Sequence, residues 1–155
     1  MTLPIGRPHE GLRRIAEYTS YLRQLAQTPE AQFTADFVLL GSAKYYLMTA
    51  IEACLDLAQH VIARRGWRTP NSYADTFDVL AEHGLVPADF LPRLRSMARF
   101  RNRLVHLYWD VDPQTLYALL QSNLGDFDRF AALMLPTLSA SGDASQEGDS
   151  GSKDD

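Results

Sequence analysis

The chain has 155 residues, 46% of them hydrophobic and 22% charged, which is the size and composition of one globular domain with its own core and excludes a multidomain machine. Its single cysteine, Cys54, excludes an internal disulfide, and the formal charge of -4 excludes a uniformly basic protein. That charge is unevenly placed: residues 141–155 alone carry -4, and residues 1–140 hold 14 basic and 14 acidic side chains. Met1-Thr2-Leu3-Pro4 carries no cationic stretch leading into an apolar run, so a cytoplasmic location is expected. The uncharged stretch Phe130 to Gly142 is well short of the roughly 20 residues that cross a bilayer, and no membrane association is expected.

In chain order, Leu12, Ile15, Tyr18 or Thr19, Leu22 and Leu25 recur at three- and four-residue steps and predict an amphipathic helix from about Glu10 to Gln27. Thr28-Pro29-Glu30 then reads as an N-cap, a proline at the first helical position and an acid in the first turn. A long second helix to Arg65 is expected, with an apolar seam of Phe33, Phe37, Leu40, Leu47, Ile51, Leu55, Ala58 and Ile62. Lys44 interrupts that seam, Gly41 allows a bend, and Gly66 ends the helix.

Ser72 with Asp75 resembles a capping box opening a short helix that Gly84 closes. Asp89 is placed to cap a fourth helix that tolerates Pro92 in its first turn and turns Leu94, Met97, Ala98, Phe100 and Leu104 inward. Asp112-Pro113 starts a fifth, so the fourth must end by about Tyr108. Leu116, Leu119, Leu120, Leu124, Phe127, Phe130 and Met134 carry the fifth to a stop at Pro136. No segment alternates with period two, and the expected fold is all-α, an antiparallel bundle of about five helices. Residues 1–138 form one domain in this reading, and residues 139–155, rich in Gly, Ser and Asp, form a disordered acidic tail.

The chemistry concentrates before the fifth helix. Arg93, Arg95, Arg99, Arg101 and Arg103 fall within eleven residues free of carboxylates, a local cationic surface suited to a phosphate-bearing partner. The alternative is that carboxylates from other helices pair with these arginines one by one. Glu52, Asp56 and His60 recur every four residues and form a polar stripe on the long helix. The stripe offers three metal-type ligands, but the chain lacks the Glu-x-x-His pairs of carboxylate-bridged bundles, and no metal site is expected. An internal polar network is an equal contender for it. Trp67 and Trp109 flank basic residues and can stack on bases or join the core. No glycine-rich phosphate loop is present, and no cofactor is expected on this chain.

The segment Arg99-Phe100-Arg101-Asn102-Arg103-Leu104-Val105-His106-Leu107-Tyr108 resembles the HEPN superfamily of ribonucleases, whose signature is an arginine, often followed by asparagine, with a histidine four to six residues on. The added Leu107-Tyr108 narrows the likeness to HepT-type toxins, with the motif R-x4-H-x-Y, and residues 51–64 and 70–90 are similar to that family at the right separations. The resemblance covers about residues 10–135. It implies a metal-independent endoribonuclease toxin of a type VII-like toxin–antitoxin system, acting as a homodimer in which the motifs of two copies face each other.

Such cleavage needs proton transfer at the 2'-hydroxyl and the 5'-oxygen and fixed positive charge for the phosphorane, which imidazole and guanidinium supply. His106 and Arg101 are therefore the expected catalytic pair, with Asn102 positioning the phosphate or the histidine and Arg95, Arg99 and Arg103 holding RNA. Five residues along a straight helix set Arg101 and His106 about 140° apart, so they converge only if the helix distorts or a second copy contributes. Glu52, Asp56 and His60 are expected to line the groove and orient Arg101 or His106.

An extended exit from the helix would put Tyr108 on the same side as His106. The resemblance implies that a cognate minimal nucleotidyltransferase antitoxin, which brings the ATP and magnesium, attaches AMP to Tyr108. The alternative is a non-catalytic HEPN module that only grips a nucleotide or its partner, and a plainer fate for His106 is a helix-end histidine bonded to a backbone carbonyl.

Overall fold

The computed structural model describes residues 8–139; residues 140–155 of the expected tail and the first seven residues lie outside them. The described chain is all helical: α1 (Pro8–Ala26), α2 (Glu30–Ala35), α3 (Phe37–Arg65), α4 (Tyr73–Glu82), α5 (Leu91–His106), α6 (Pro113–Ser122) and α7 (Gly125–Ser139), with a 3-10 turn over Tyr108–Asp110. α3 is the central element, and α1, α4, α5 and α7 pack around it. Leu47, Ile51, Leu55, Ala58 and Ile62 of its seam are buried, together with Ile15 and Leu22 of α1, Leu94 of α5, Leu116 of α6 and Phe130 of α7. Phe77 meets Phe130 edge-on, with ring centroids 5.7 Å apart, and locks α4 to α7.

Two expected helices are each split in two. The long second helix breaks at Asp36, whose extended backbone (φ -109°, ψ 107°) restarts the chain while its carboxylate accepts from the N–H groups of Val38 and Leu39. Asp36, not Gly41, is where the chain changes direction. The break also rotates Phe37 out of the seam, leaving it 85% exposed. The fifth helix divides at Asn123-Leu124 into α6 and α7, and α7 continues through Pro136 to Ser139.

The caps differ in detail. Pro29 itself precedes α2, and Thr28 accepts a hydrogen bond from the Tyr117 hydroxyl through its carbonyl. Phe90, not Asp89, precedes α5, and Asp89 pairs with Arg129. Ser72 and Asp112 cap as expected, accepting from the N–H groups of Asp75 and Thr115. Gly66 and Gly84 both take positive φ, 67° and 75°, the left-handed conformation that ends a helix at least cost with glycine.

α3 has the length and apolarity to cross a bilayer. In this fold its seam is instead the core of the bundle, with the polar groups Glu52, Asp56 and His60 alongside it.

Candidate active site

α5 stays helical without a break from Leu91 to His106, which removes helix distortion as a means of bringing Arg101 and His106 together. A continuous helix instead aligns Asn102 with His106, one turn apart, and these two residues form one wall of a cleft of about 670 Å³. Gln59, Ile62 and Ala63 of α3, Trp67, the segment from Thr69 to Tyr73, and Thr76 form the rest. The His106 imidazole is exposed and makes no hydrogen bond among the described residues, so the bland fate of a histidine satisfied by a carbonyl does not hold.

Arg101 is turned toward α3. Its Nε and Nη2 donate to Glu52 Oε1 at 3.1 and 2.9 Å, its Nη1 donates to Asn102 Oδ1 at 3.3 Å, and its guanidinium lies 4.7 Å from the centre of the Tyr73 ring. The side chain is only 16% exposed. One carboxylate, one amide and one aromatic face thus hold the guanidinium with little rotational freedom.

The Glu52, Asp56, His60 stripe does not act as a unit. Glu52 belongs to Arg101. The Asp56 carboxyl is raised above its usual value, first by partial desolvation and then by Glu52, with Arg14 and Arg101 acting against the shift. His60 is lowered, first by desolvation and then by Arg64, and its buried Nε2 has no hydrogen-bond partner among the described residues. Among the described residues no three His, Cys, Asp or Glu side chains come together as a metal-binding group.

The arginine cluster is less cationic than its sequence reads. Arg93 pairs with Asp126 at 3.0 Å, Arg95 with Asp78 at 2.6 Å, Arg101 with Glu52 at 2.9 Å and Arg103 with Asp110 at 3.6 Å. The absence of carboxylates within the segment did not predict this, because each partner comes from elsewhere in the chain. Arg99 is exposed and has no ion pair among the described residues.

Tyr108 does not share the cleft with His106, contrary to an extended exit from the helix. Leu107 (φ -130°, ψ 44°) leads into the 3-10 turn, and the Tyr108 ring is carried against the start of α3. Lys44 Nζ stands 4.2 Å from the ring centre and donates to the Tyr108 carbonyl at 3.1 Å. A Cβ placed on Gly41 would lie 3.5 Å from the Tyr108 hydroxyl. Lys44 and Gly41 are the residues that sequence reasoning missed here; the interrupted seam was their signal. Phe37 and Tyr45 lie one turn either side of Gly41 and, with Leu107, Tyr108 and Trp109, leave a large exposed apolar surface. Trp67, by contrast, stacks on His83 at 3.9 Å and is half-buried.

Comparison with known proteins places the chain in a family. The family described as "Ribonuclease HepT-like" matches residues 12–134. An mRNA nuclease HepT from Shewanella oneidensis is 29% identical over 121 residues, covering 77% of this chain and 91% of that protein. The crystal structure of a tri-AMPylated Shewanella oneidensis HEPN toxin in complex with MNT antitoxin superimposes with a TM-score of 0.78 at 26% identity, covering 87% of this chain and 99% of that one. YutE of Bacillus subtilis, a cytosolic protein of unknown function, shares the fold with a TM-score of 0.70 at 20% identity, covering 86% of this chain and 92% of that one. The chain belongs to the HepT-like ribonuclease family.

Proposed function

We propose that this protein is a metal-independent endoribonuclease toxin of the cytoplasm, working as a homodimer and neutralised by AMP attachment at Tyr108. The observation that carries the reading is the unbroken end of α5, which presents Asn102 and an unbonded His106 to one cleft while Glu52 holds Arg101 beside them. In the reaction the RNA 2'-oxygen attacks the adjacent phosphorus and the 5'-oxygen leaves. His106 takes or returns the proton, Arg101 balances the charge of the phosphorane, and Asn102 orients the phosphate.

Glu52 and Tyr73 hold Arg101 at the edge of the cleft that His106 lines, a second copy supplies the facing motif, and the exposed apolar surface around Phe37, Tyr45 and Leu107–Trp109 supports docking of a copy or of the antitoxin. Arg99 is the member of the cluster most available to RNA; Arg95 and Arg103 reach a phosphate only by exchanging Asp78 and Asp110 for it. The solved relative, a tri-AMPylated toxin bound to its MNT antitoxin, supports a cognate minimal nucleotidyltransferase as the partner here. That partner would supply ATP and magnesium. The phenol oxygen of Tyr108 attacks the α-phosphorus, pyrophosphate leaves, and the partner accepts the proton.

Purified protein tests the reading on RNA. His106→Ala and Arg101→Ala each abolish cleavage with helicity unchanged, activity persists in EDTA, and the products end in 2',3'-cyclic phosphate. Co-expression with the cognate transferase adds mass in AMP steps at Tyr108 and silences the nuclease, while Tyr108→Phe escapes it. A wild-type dimer that binds RNA without cutting it would instead establish the non-catalytic binding module.

A further inference from the structure

The cleft beside Asn102 and His106 is larger than phosphate chemistry requires. Its volume of about 670 Å³ lies inside the roughly 300–1,000 Å³ range of small-ligand pockets. None of its lining residues is Asp, Glu, Lys or Arg, so it offers no fixed charge to a phosphate; the Arg101 guanidinium stands over the ring of Tyr73, one of those residues. The lining combines aromatic surface from Trp67 and Tyr73 with the side-chain amides of Gln59 and Asn71, which make no hydrogen bond among the described residues. Each amide offers both a donor and an acceptor, the pattern needed to read a base edge, and aromatic faces hold bases by stacking.

The wall is also built rather than loose. Arg68 donates to both Asp75 and Glu82, the Asn71 N–H donates to Asp75 at 2.8 Å, and Trp67 lies flat on His83. These contacts fasten the segment between α3 and α4 to α4, leaving the side chains of Asn71 and Tyr73 on the cleft side.

We infer that this cleft is a nucleobase subsite, which seats the base of the nucleotide at the scissile phosphate and gives the nuclease a sequence preference through Gln59 and Asn71. The inference rests on the ribonuclease reading above and adds the specificity-determining residues to it. The division of labour is by charge: the phosphate stays at the Arg101 and His106 rim, and the neutral base enters the uncharged cleft.

The test uses the full chain carrying Trp109→Phe, so that Trp67 is the remaining tryptophan and reports on the cleft. The four nucleoside 3'-monophosphates, with ribose 5-phosphate as control, are titrated against its fluorescence. One base is expected to bind about tenfold more tightly than the weakest, since a seated base shields the exposed Gln59 and Asn71 amides from water and an amide it leaves unpaired is then costly. Gln59→Ala with Asn71→Ala reduces that spread below about twofold, and the same variant flattens the cleavage pattern on a random-sequence RNA. Equal binding of all four bases, binding no tighter than ribose 5-phosphate, or a spread unchanged in the double variant overturns the subsite. Cleavage of RNA without base-dependent binding sinks this inference alone; base-selective binding without cleavage sinks the nuclease reading and leaves the subsite standing.

Discussion

Glu52 receives two hydrogen bonds from Arg101 on a single carboxylate oxygen, at 2.9 and 3.1 Å, joining the middle of α3 to the motif helix α5. Fork-shaped donation of this kind fixes the plane of the guanidinium as well as its position. Glu52 is therefore a positioning residue for Arg101. Glu52→Ala should lower kcat for RNA cleavage about tenfold with a smaller change in KM, and cost about 1 kcal/mol in urea unfolding, since the pair is partly exposed. Glu52→Gln retains an acceptor and should recover part of kcat. An unchanged kcat in Glu52→Ala would separate the ion pair from catalysis.

The Tyr108 hydroxyl rests over Gly41, where a Cβ would be in ordinary van der Waals contact at 3.5 Å. Gly41→Ala should be accepted and add about 0.5–1 kcal/mol of stability, because Gly41 lies inside α3. Gly41→Leu extends past Cβ toward the Tyr108 hydroxyl and should displace Tyr108 from Lys44. Mass spectrometry after co-expression should show slower AMP attachment in the leucine variant, with RNA cleavage by the unmodified protein retained.

Arg68 holds Asp75 well below the usual carboxylate range, chiefly by direct hydrogen bonds, and lowers Glu82 for the same reason. Both carboxyls have depressed folded-state values, so their contribution is fully present above the unfolded values near about 4, and is lost as pH falls through the folded ones. Arg68→Ala should therefore be less stable than wild type at pH 7, with the gap closing in strong acid. Arg68 and Glu82 are exposed, so raised salt should shrink the gap at neutral pH as well. Thermal unfolding across pH and salt measures both effects.

Cys54 is fully buried in the core, and burial pushes its thiol far above the ordinary value. Native protein should resist alkylation by iodoacetamide at pH 8 and react fully in urea. Rapid labelling of the native state would mean that α3 opens more readily than its packing implies.

Deleting residues 141–155 should leave the helical fold intact, because that segment holds no apolar side chain beyond Ala144 to place in a core. Removing that segment's charge of -4 should tighten RNA binding, most at low salt, and a salt-dependent binding assay reads this directly.

The motif was legible because its chemistry is local: Asn102 and His106 lie one turn apart on any helix, and Ser72, Asp112, Gly66 and Gly84 cap or end helices through bonds to their own neighbours. The all-α fold and most of the α3 seam followed from periodicity for the same reason. What depended on distant residues was not legible. The break at Asp36 sends Phe37 to the surface, and Asp126, Asp78 and Glu52 arrive from three other helices to pair with arginines that read as bare. Tyr108 lies two residues from His106 in the chain, yet the 3-10 turn carries it to Lys44, away from the cleft. Local hydrogen bonds and hydrophobic period are written within a few residues, whereas charge pairing and the destination of a side chain leaving a helix are set by packing, which only the tertiary structure decides.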